Sequence, residues 1–160
     1  MEKKISFNYI QLASFEELAE EDFALLQEAK AILNKAYAPY SNFQVAAVGK
    51  LKNGATVAGT NQENASYPVG ICAERVLLST ASILHTNEAI ETIAITYKNL
   101  NGASAKPISP CGICRQSLLE YEQRTNAAIR IILAGETGDI IILNSVSDLL
   151  PLSFGSADMK

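Results

Sequence analysis

The chain has 160 residues with a formal net charge of −4 and a pI near 5.0. This length fits one domain over residues 1–160, and a content of 48% hydrophobic and 19% charged residues excludes a disordered chain. The acidic balance, without a cluster of Lys and Arg, argues against a nucleic-acid partner. No run approaches the ~20 apolar residues of a membrane span, and no secretory signal is evident. We therefore expect a cytoplasmic protein that binds no membrane.

The hydrophobic periodicity predicts an α/β domain, a three-layer α-β-α sandwich with a mixed five-stranded sheet. A capping box at Ser14 and Glu17 is expected to open the first helix, the Asn53-Gly54 pair predicts a hairpin, and Gly49 indicates a β-bulge. Met1–Gln11 receives no assignment. The expected helices are Phe15–Tyr37, Ile71–Leu84, Cys111–Tyr121 and Ser147–Leu150, and the expected strands are Phe43–Leu51, Ala55–Thr60, Thr92–Tyr97, Ile129–Ala134 and Ile140–Leu143.

All three cysteines fall within two short motifs. Cys72 begins one predicted helix, while Cys111 and Cys114 form a Cys-x-x-Cys pair at the start of another. An odd number of cysteines suits metal ligation better than a disulfide framework. Sulfurs at two helix starts can meet one Zn²⁺ at about 2.3 Å, and three protein ligands leave the fourth position to water, as in a catalytic site. The motifs predict one zinc ion per chain with water or hydroxide as the fourth ligand.

Glu74 follows Cys72 by two residues, so its carboxylate can approach a zinc-bound water without ligating the metal. We expect it to shuttle a proton from that water to a leaving amine. Three thiolates against Zn²⁺ leave a charge of −1, which is unfavourable for acidifying water. Arg75 and the N-termini of the two helices are the candidates that offset this charge. We predict that Arg75 hydrogen-bonds a ligand thiolate.

Other interpretations of the cysteines stand beside a catalytic zinc. They include unrelated buried core thiols, a redox pair at Cys111 and Cys114, and a structural zinc closed by a fourth ligand. That fourth ligand would have to be His85, the only histidine. Its position near a predicted helix end, where a positive charge is favourable, explains it without a metal.

The motifs Tyr67-Pro-Val-Gly-Ile-Cys-Ala-Glu-Arg75 and Ser109-Pro-Cys-Gly-Ile-Cys-Arg-Gln116 closely resemble those of the homotetrameric cytidine deaminases that act on free nucleosides. The likeness runs from about Ala29 to the C-terminus. Many zinc deaminases have His where Cys72 stands. In many of these cytidine deaminases Pro-Val-Gly-Ala-Ala follows the Phe that Phe43 matches, whereas Gln44–Gly49 follows it here, so strand packing is expected to differ there. Three further segments carry the likeness: Ala36–Phe43, Asn61–Ala65 and Leu149–Gly155.

The resemblance implies a substrate site around the metal. Phe43 would lie against the pyrimidine ring, and Asn61 and Glu63 would hydrogen-bond the ribose hydroxyl groups, with Glu63 taking the 3′-OH. The backbone N–H of Ala73 and the carbonyl of Ser109 would hold the base. Strand alternation allows Asn61 and Glu63 to point the same way, and an amide with a carboxylate suits a sugar that donates and accepts.

The resemblance also implies an assembly and a reaction. Phe154, with Tyr67, would reach a neighbouring subunit's site, so a homotetramer would be needed for activity. The implied reaction, in pyrimidine salvage, converts free cytidine and deoxycytidine to uridine and deoxyuridine. In it, zinc-bound hydroxide attacks C4 of cytosine and Glu74 shuttles the proton.

Three alternative functions are weighed against that reaction. The first is a deaminase of a modified nucleoside such as a nucleoside antibiotic. A polynucleotide editor is disfavoured, because Glu63 would repel a 3′-phosphate. A structural zinc or interaction module would bind metal without an exchangeable water.

Overall fold

The computed structural model describes residues 1–159. Its sheet has six strands in the order β1-β6-β5-β4-β2-β3. Strands β4 and β5 are parallel, and the other neighbours are antiparallel, so the sheet is mixed as predicted. The strands are β1 (Ile10–Leu12), β2 (Phe43–Leu51), β3 (Thr56–Thr60), β4 (Ile90–Asn99), β5 (Arg130–Ala134) and β6 (Ile140–Leu143).

Helices cover both faces of this sheet. Helix α1 (Glu20–Ala31) packs on one face, while α2 (Ala73–Leu84) and α3 (Gly112–Thr125) pack on the other. Successive side chains of a strand point to opposite faces of the sheet and so contribute to both cores. Ala47, for example, faces α2 and α3, whereas Val48 faces α1. The predicted α/β fold is confirmed. No helix among residues 1–159 is both long and apolar enough to cross a membrane.

The long first helix predicted over Phe15–Tyr37 is wrong. The chain forms a 3₁₀ turn at Phe15–Glu17, then α1, then a second 3₁₀ turn at Leu33–Lys35. The capping box of Ser14 and Glu17 is present but caps the first 3₁₀ turn. Leu18 and Ala19 are extended, with ψ of 144° and 149°. Acidic residues then occupy the first turn of α1, where the helix dipole favours them. Phe15 and Leu18 still pack on the α1-side core, so their periodicity is genuine although the helix is interrupted.

Three smaller differences concern strands and turns. The predicted sheet of five strands lacks β1, which is too short for its alternation to be recognised. The bulge expected at Gly49 is also wrong, because this residue pairs regularly with Val57 and Ile93 and the irregularity falls between Lys50 and Leu51. The helix predicted over Ser147–Leu150 is a 3₁₀ turn at Val146–Leu149.

Candidate metal centre and substrate site

The three cysteine sulfurs converge at the N-termini of two helices. Cys72 is the N-cap residue of α2, Cys111 is the N-cap residue of α3, and Cys114 lies in the first turn of α3. The Sγ atoms of Cys72 and Cys111 are 3.8 Å apart, those of Cys111 and Cys114 are 3.5 Å apart, and all three lie within 4.8 Å of one another. Tetrahedral Zn²⁺ with bonds of about 2.3 Å separates its sulfurs by about 3.8 Å. The donor set therefore fits one zinc ion.

The first turn of α2 is brought to the sheet by Gly59 of β3. A Cβ atom at this position would lie 2.3 Å from the carbonyl oxygen of Ala73 and 2.4 Å from the backbone nitrogen of Leu77. Only a residue without a side chain permits this approach. Gly59 therefore sets how close the Cys72 end of α2 lies to β3.

Two contacts position the loop that carries Cys111. Upstream, the carbonyl of Ser104 accepts a hydrogen bond of 2.7 Å from the N–H of Glu136, which anchors the loop to the turn between β5 and β6. Downstream, Nε of Arg115 donates to the carbonyl of Pro110 at 2.9 Å. Sequence reasoning missed Arg115. A signal was available, because a positive charge in the first turn of a helix opposes the dipole and indicates a specific partner.

The thiols already differ in acidity. The nearby Cys114 thiol lowers the pKa of Cys72 to about 6, and the proximity of the Cys72 thiol raises the pKa of Cys114. Helix N-termini favour thiolates in general. One thiol of this pair therefore ionises readily, and a bound divalent cation would have to displace the proton of the other.

Glu74 lies in the first turn of α2 and is 5% exposed. Burial raises the pKa of its carboxyl group, while its own backbone N–H and the nearby Cys114 thiol act in the opposite direction. A buried carboxyl group with a raised pKa can hold a proton and release it again. The structure thus brings Glu74 beside the thiol cluster.

Arg75 behaves differently from the prediction. No side-chain hydrogen bond joins it to a cysteine sulfur among residues 1–159; its guanidinium lines a groove between α2 and α3 with Tyr121 and Arg124. Its charge nevertheless contributes to lowering the pKa of Cys72. Arg75 therefore acts on Cys72 alone of the two thiols with shifted pKa values, weakly and through its charge.

His85 is the C-cap residue of α2, whereas Cys72 is its N-cap residue. A helix of 12 residues spans about 18 Å. His85 is therefore too far away to complete a Cys₃His site, and the structural-zinc interpretation that depends on it fails.

Of the two residues expected at the ribose, Asn61 contacts the start of β2 and Glu63 contacts the segment just before it. The side-chain oxygen of Asn61 accepts from the N–H of Val45 at 2.8 Å, and its amide nitrogen donates to the carbonyl of Phe43 at 2.9 Å. The Glu63 carboxylate accepts from the Ser41 hydroxyl group and from the N–H groups of Tyr40 and Ser41. The Ser41 hydroxyl bond, followed by these backbone bonds, lowers the pKa of Glu63.

The ring of Phe43 is half-buried and stacks on Tyr97, with centroids 4.9 Å apart and 15° between the planes. Alternation places Phe43 and Ala47 on the sheet face that carries α2 and α3. Sequence reasoning missed Tyr97. Its position in a predicted strand gave no signal, because the residue of β2 that lies beside Tyr97 depends on the register of β2 against β4.

The remaining predicted site residues lie at different depths. Ala73 is fully buried, and as the first residue of α2 its N–H has no acceptor within the helix. Ser109 is exposed on the loop before Pro110. Phe154 is 61% exposed, and the exposed ring of Tyr67 makes an edge contact with Tyr40. These two aromatic side chains are accessible to another molecule.

Known proteins resemble this chain in sequence and in fold. Residues 19–129 match the family model of the cytidine and deoxycytidylate deaminase zinc-binding region. A cytidine deaminase of Halalkalibacterium halodurans is 37% identical over 136 residues, which cover 85% of this chain and 96% of that protein. The crystal structure of a cytidine deaminase from Burkholderia pseudomallei has a TM-score of 0.72 and 37% identity, covering 86% of this chain and 100% of that one. A cytidine deaminase structure from Mycobacterium tuberculosis has a TM-score of 0.65 at 27% identity, covering 86% of this chain and 99% of that one.

A mixed sheet with three converging thiols and a buried carboxyl group at two helix starts is the arrangement of a zinc-dependent hydrolytic deaminase. The family match spans well over half of the sequence. This chain belongs to the cytidine and deoxycytidylate deaminase zinc-binding family. The two cysteine motifs predicted a zinc deaminase, and the family match confirms this membership. Zinc is also confirmed as the cofactor.

Proposed function

We propose that this protein hydrolyses the exocyclic amine of free cytidine and deoxycytidine, consuming one water and releasing uridine or deoxyuridine with ammonia. The observation that carries the proposal is the cluster of Cys72, Cys111 and Cys114, with sulfurs within 4.8 Å of one another, beside the buried Glu74. The cytidine deaminases that match nearly their full length to this chain support the substrate.

In the proposed reaction the three cysteines hold zinc, which when bound supplies a Lewis acid that makes water a better nucleophile. Glu74 takes a proton from the attacking water and delivers it to N3 of cytosine. A second proton then passes through Glu74 to the amine, which leaves as ammonia. The raised pKa of Glu74 suits this role, because the carboxyl group must be protonated and deprotonated within one turnover.

The proposed substrate contacts use groups that still have hydrogen-bonding capacity. A carboxylate has about four acceptor sites, and the Glu63 carboxylate already accepts three hydrogen bonds, which leaves one for a 3′-OH. The amide nitrogen of Asn61 donates one of its two N–H groups to Phe43 and keeps the other for the ribose. The free N–H of Ala73 and the carbonyl of Ser109 would bind the base, with Phe43 against its ring.

The proposed assembly is a homotetramer in the cytoplasm that serves pyrimidine salvage. Phe154 of one subunit, with Tyr67, would contact the site of a neighbour. Large exposed apolar side chains on α2 and α3 support an assembled form, since Ile83 is 78% and Ile113 65% exposed. Charge balance at the thiolates would come from Arg75 and the two helix N-termini.

The test is ammonia release from cytidine and deoxycytidine by purified protein, with zinc per chain and mass in solution measured on the same sample. About one zinc per chain with ammonia from both nucleosides is the expected result. Zinc without ammonia from either would overturn the substrate assignment, and modified nucleosides would then be assayed. A monomer that is fully active would overturn the role of the assembly.

A further inference from the structure

Arg115 connects two segments that are far apart in the sequence. It lies on α3 directly after Cys114 and is half-buried. Its Nε donates to the carbonyl of Pro110 at 2.9 Å, and its Nη1 donates to the carbonyl of Leu149, also at 2.9 Å. The first carbonyl immediately precedes Cys111, and the second ends the 3₁₀ turn at Val146–Leu149.

The next residue extends this connection. Nε2 of Gln116 donates to the carbonyl of Phe154 at 3.0 Å. Further along α3, the Glu122 carboxylate accepts hydrogen bonds from the N–H of Val146 and from the Ser145 hydroxyl group. Side chains of α3 therefore hold the chain from Ser145 to Phe154, which we call the C-terminal segment. Of these, Arg115 alone also bonds the loop that carries Cys111.

The choice of arginine here needs an explanation. A cation in the first turn of a helix is disfavoured by the dipole. A guanidinium group offers several donors in a fixed plane and can hold two carbonyl groups at once, whereas an ammonium group is a compact point charge. Among the described residues no backbone N–H donates to the Pro110 carbonyl, and the N–H of Arg115 itself donates to the carbonyl of Cys111. The side chain of Arg115 thus fixes the peptide plane from which Cys111 departs.

We propose that Arg115 is a positioning residue that couples the metal ligands Cys111 and Cys114 to the docking of the C-terminal segment. This proposal rests on the proposed metal site but not on the identity of the substrate. When the guanidinium holds both carbonyls, the Cys111 sulfur is kept in line with the other two sulfurs. When the C-terminal segment detaches, Arg115 loses one of its two anchors and the cysteine loop loosens.

The experiment compares Arg115→Ala and Arg115→Lys with Arg124→Ala. Arg124 is a matched control on the last turn of the same helix, where it donates to the Ser82 hydroxyl group and lies over the Tyr121 ring. The first readout is the rate of zinc transfer to a chromogenic chelator. The second is the visible spectrum of the Co²⁺-substituted protein, which reports thiolate geometry. The third is hydrogen exchange of residues 149–155.

We expect zinc release from Arg115→Ala to be about 10- to 100-fold faster, the range typical for loss of a group that orients a metal ligand. Its Co²⁺ spectrum should shift, and exchange in residues 149–155 should increase. Arg115→Lys, with one contact at most, should show a smaller change in the same direction, and Arg124→Ala should behave as wild type. If Arg115→Ala fails to fold, the lysine variant and Gln116→Ala, which releases only the Phe154 carbonyl, carry the comparison.

Wild-type zinc release and an unchanged Co²⁺ spectrum in the Arg115 variants would overturn the proposal. Equal acceleration in Arg124→Ala would do so too, because the effect would then be general destabilisation. A wild-type protein that binds neither zinc nor Co²⁺ would overturn the metal site itself. Normal metal binding without ammonia release would leave this inference standing and refute only the substrate assignment.

Discussion

Gly59 of β3 lies against Ala73, the first residue of α2, so closely that a Cβ atom on Gly59 would stand 2.3 Å from the Ala73 carbonyl oxygen. Ala73 lies between the proposed ligand Cys72 and the proposed proton carrier Glu74. A contact between a strand and a helix backbone therefore helps to place a metal ligand and the proton carrier.

Gly59→Ala should lower the free energy of unfolding by about 1–3 kcal/mol, the usual cost of overpacking, and should also lower zinc content. The backbone atoms it meets cannot move aside as a flexible side chain could. Urea unfolding and metal analysis would measure the two effects. Gly49→Ala is the matched control on the same sheet face, because its Cβ would meet Leu77 Cδ1 at an ordinary 3.4 Å. Equal behaviour of the two variants would contradict the close approach.

Glu74→Gln should fold and retain zinc but lose activity, with kcat reduced by about 10²–10⁴-fold, the usual contribution of a general acid–base group. An amide fills the same buried space yet cannot carry a proton. Steady-state ammonia release and zinc analysis on one sample would separate the two properties. Unchanged turnover would end the proton-carrier assignment, and lost zinc would make Glu74 a structural residue.

Removing the metal should abolish ammonia release, and one equivalent of zinc per chain should restore it. Because the cysteines lie at helix starts and belong to neither hydrophobic cluster, although Cys114 is buried, the sheet and helices should persist, as far-ultraviolet circular dichroism would show. Cys111→Ser should lower zinc content to well under one per chain. Full activity in a sample stripped of metal would be incompatible with this centre.

The Glu63 carboxylate should stabilise the folded protein in a pH-dependent way. Hydrogen bonds from Ser41 and Tyr40 hold the folded-state pKa below its ordinary value of 4.5, so the charged form is favoured by folding. That contribution is fully present above the ordinary pKa and is lost as pH falls through the lowered folded pKa.

Urea unfolding of wild type and Glu63→Gln at several pH values would test this. The difference between their unfolding midpoints should be constant at neutral pH and shrink below about pH 4.5, the ordinary pKa. Glu28→Gln, a change at an exposed carboxylate of α1, is the control for the loss of one exposed negative charge. A difference between wild type and Glu63→Gln that grows on acidification would have the wrong sign and refute the assignment.

The metal centre could be predicted from the sequence because its information is local. Glu74 follows Cys72 by two positions, and Cys114 follows Cys111 by three. The start of a helix fixes the relative positions of such close neighbours. The core residues Leu26 and Leu77 were equally predictable, because helical spacing assigns them to a buried face.

What could not be predicted depends on partners distant in the chain. The bond from Arg115 to Leu149 spans 34 positions, and the stacking of Phe43 on Tyr97 depends on the register of β2 against β4. The break at Leu18 and Ala19 has no Gly or Pro to mark it. Asn61 is a further example, because its side chain forms two hydrogen bonds with the backbone of β2 that no local sequence pattern reveals.

Strand β1 pairs with β6 outside the stretch that matches the family, with Gln11 also donating to Asp139 at 2.6 Å. It occupies an edge of the sheet whose backbone groups would otherwise be free to recruit a strand from another molecule. Phe7 and Tyr9 line a cavity with Ile141 and Leu143 of β6, so the exposed residues before Phe7 are the ones that can be shortened or fused without touching that edge. Trimming the chain past Leu12 would uncover the apolar β6, so the start point chosen for expression decides whether the purified protein stays dispersed or forms fibres and precipitates.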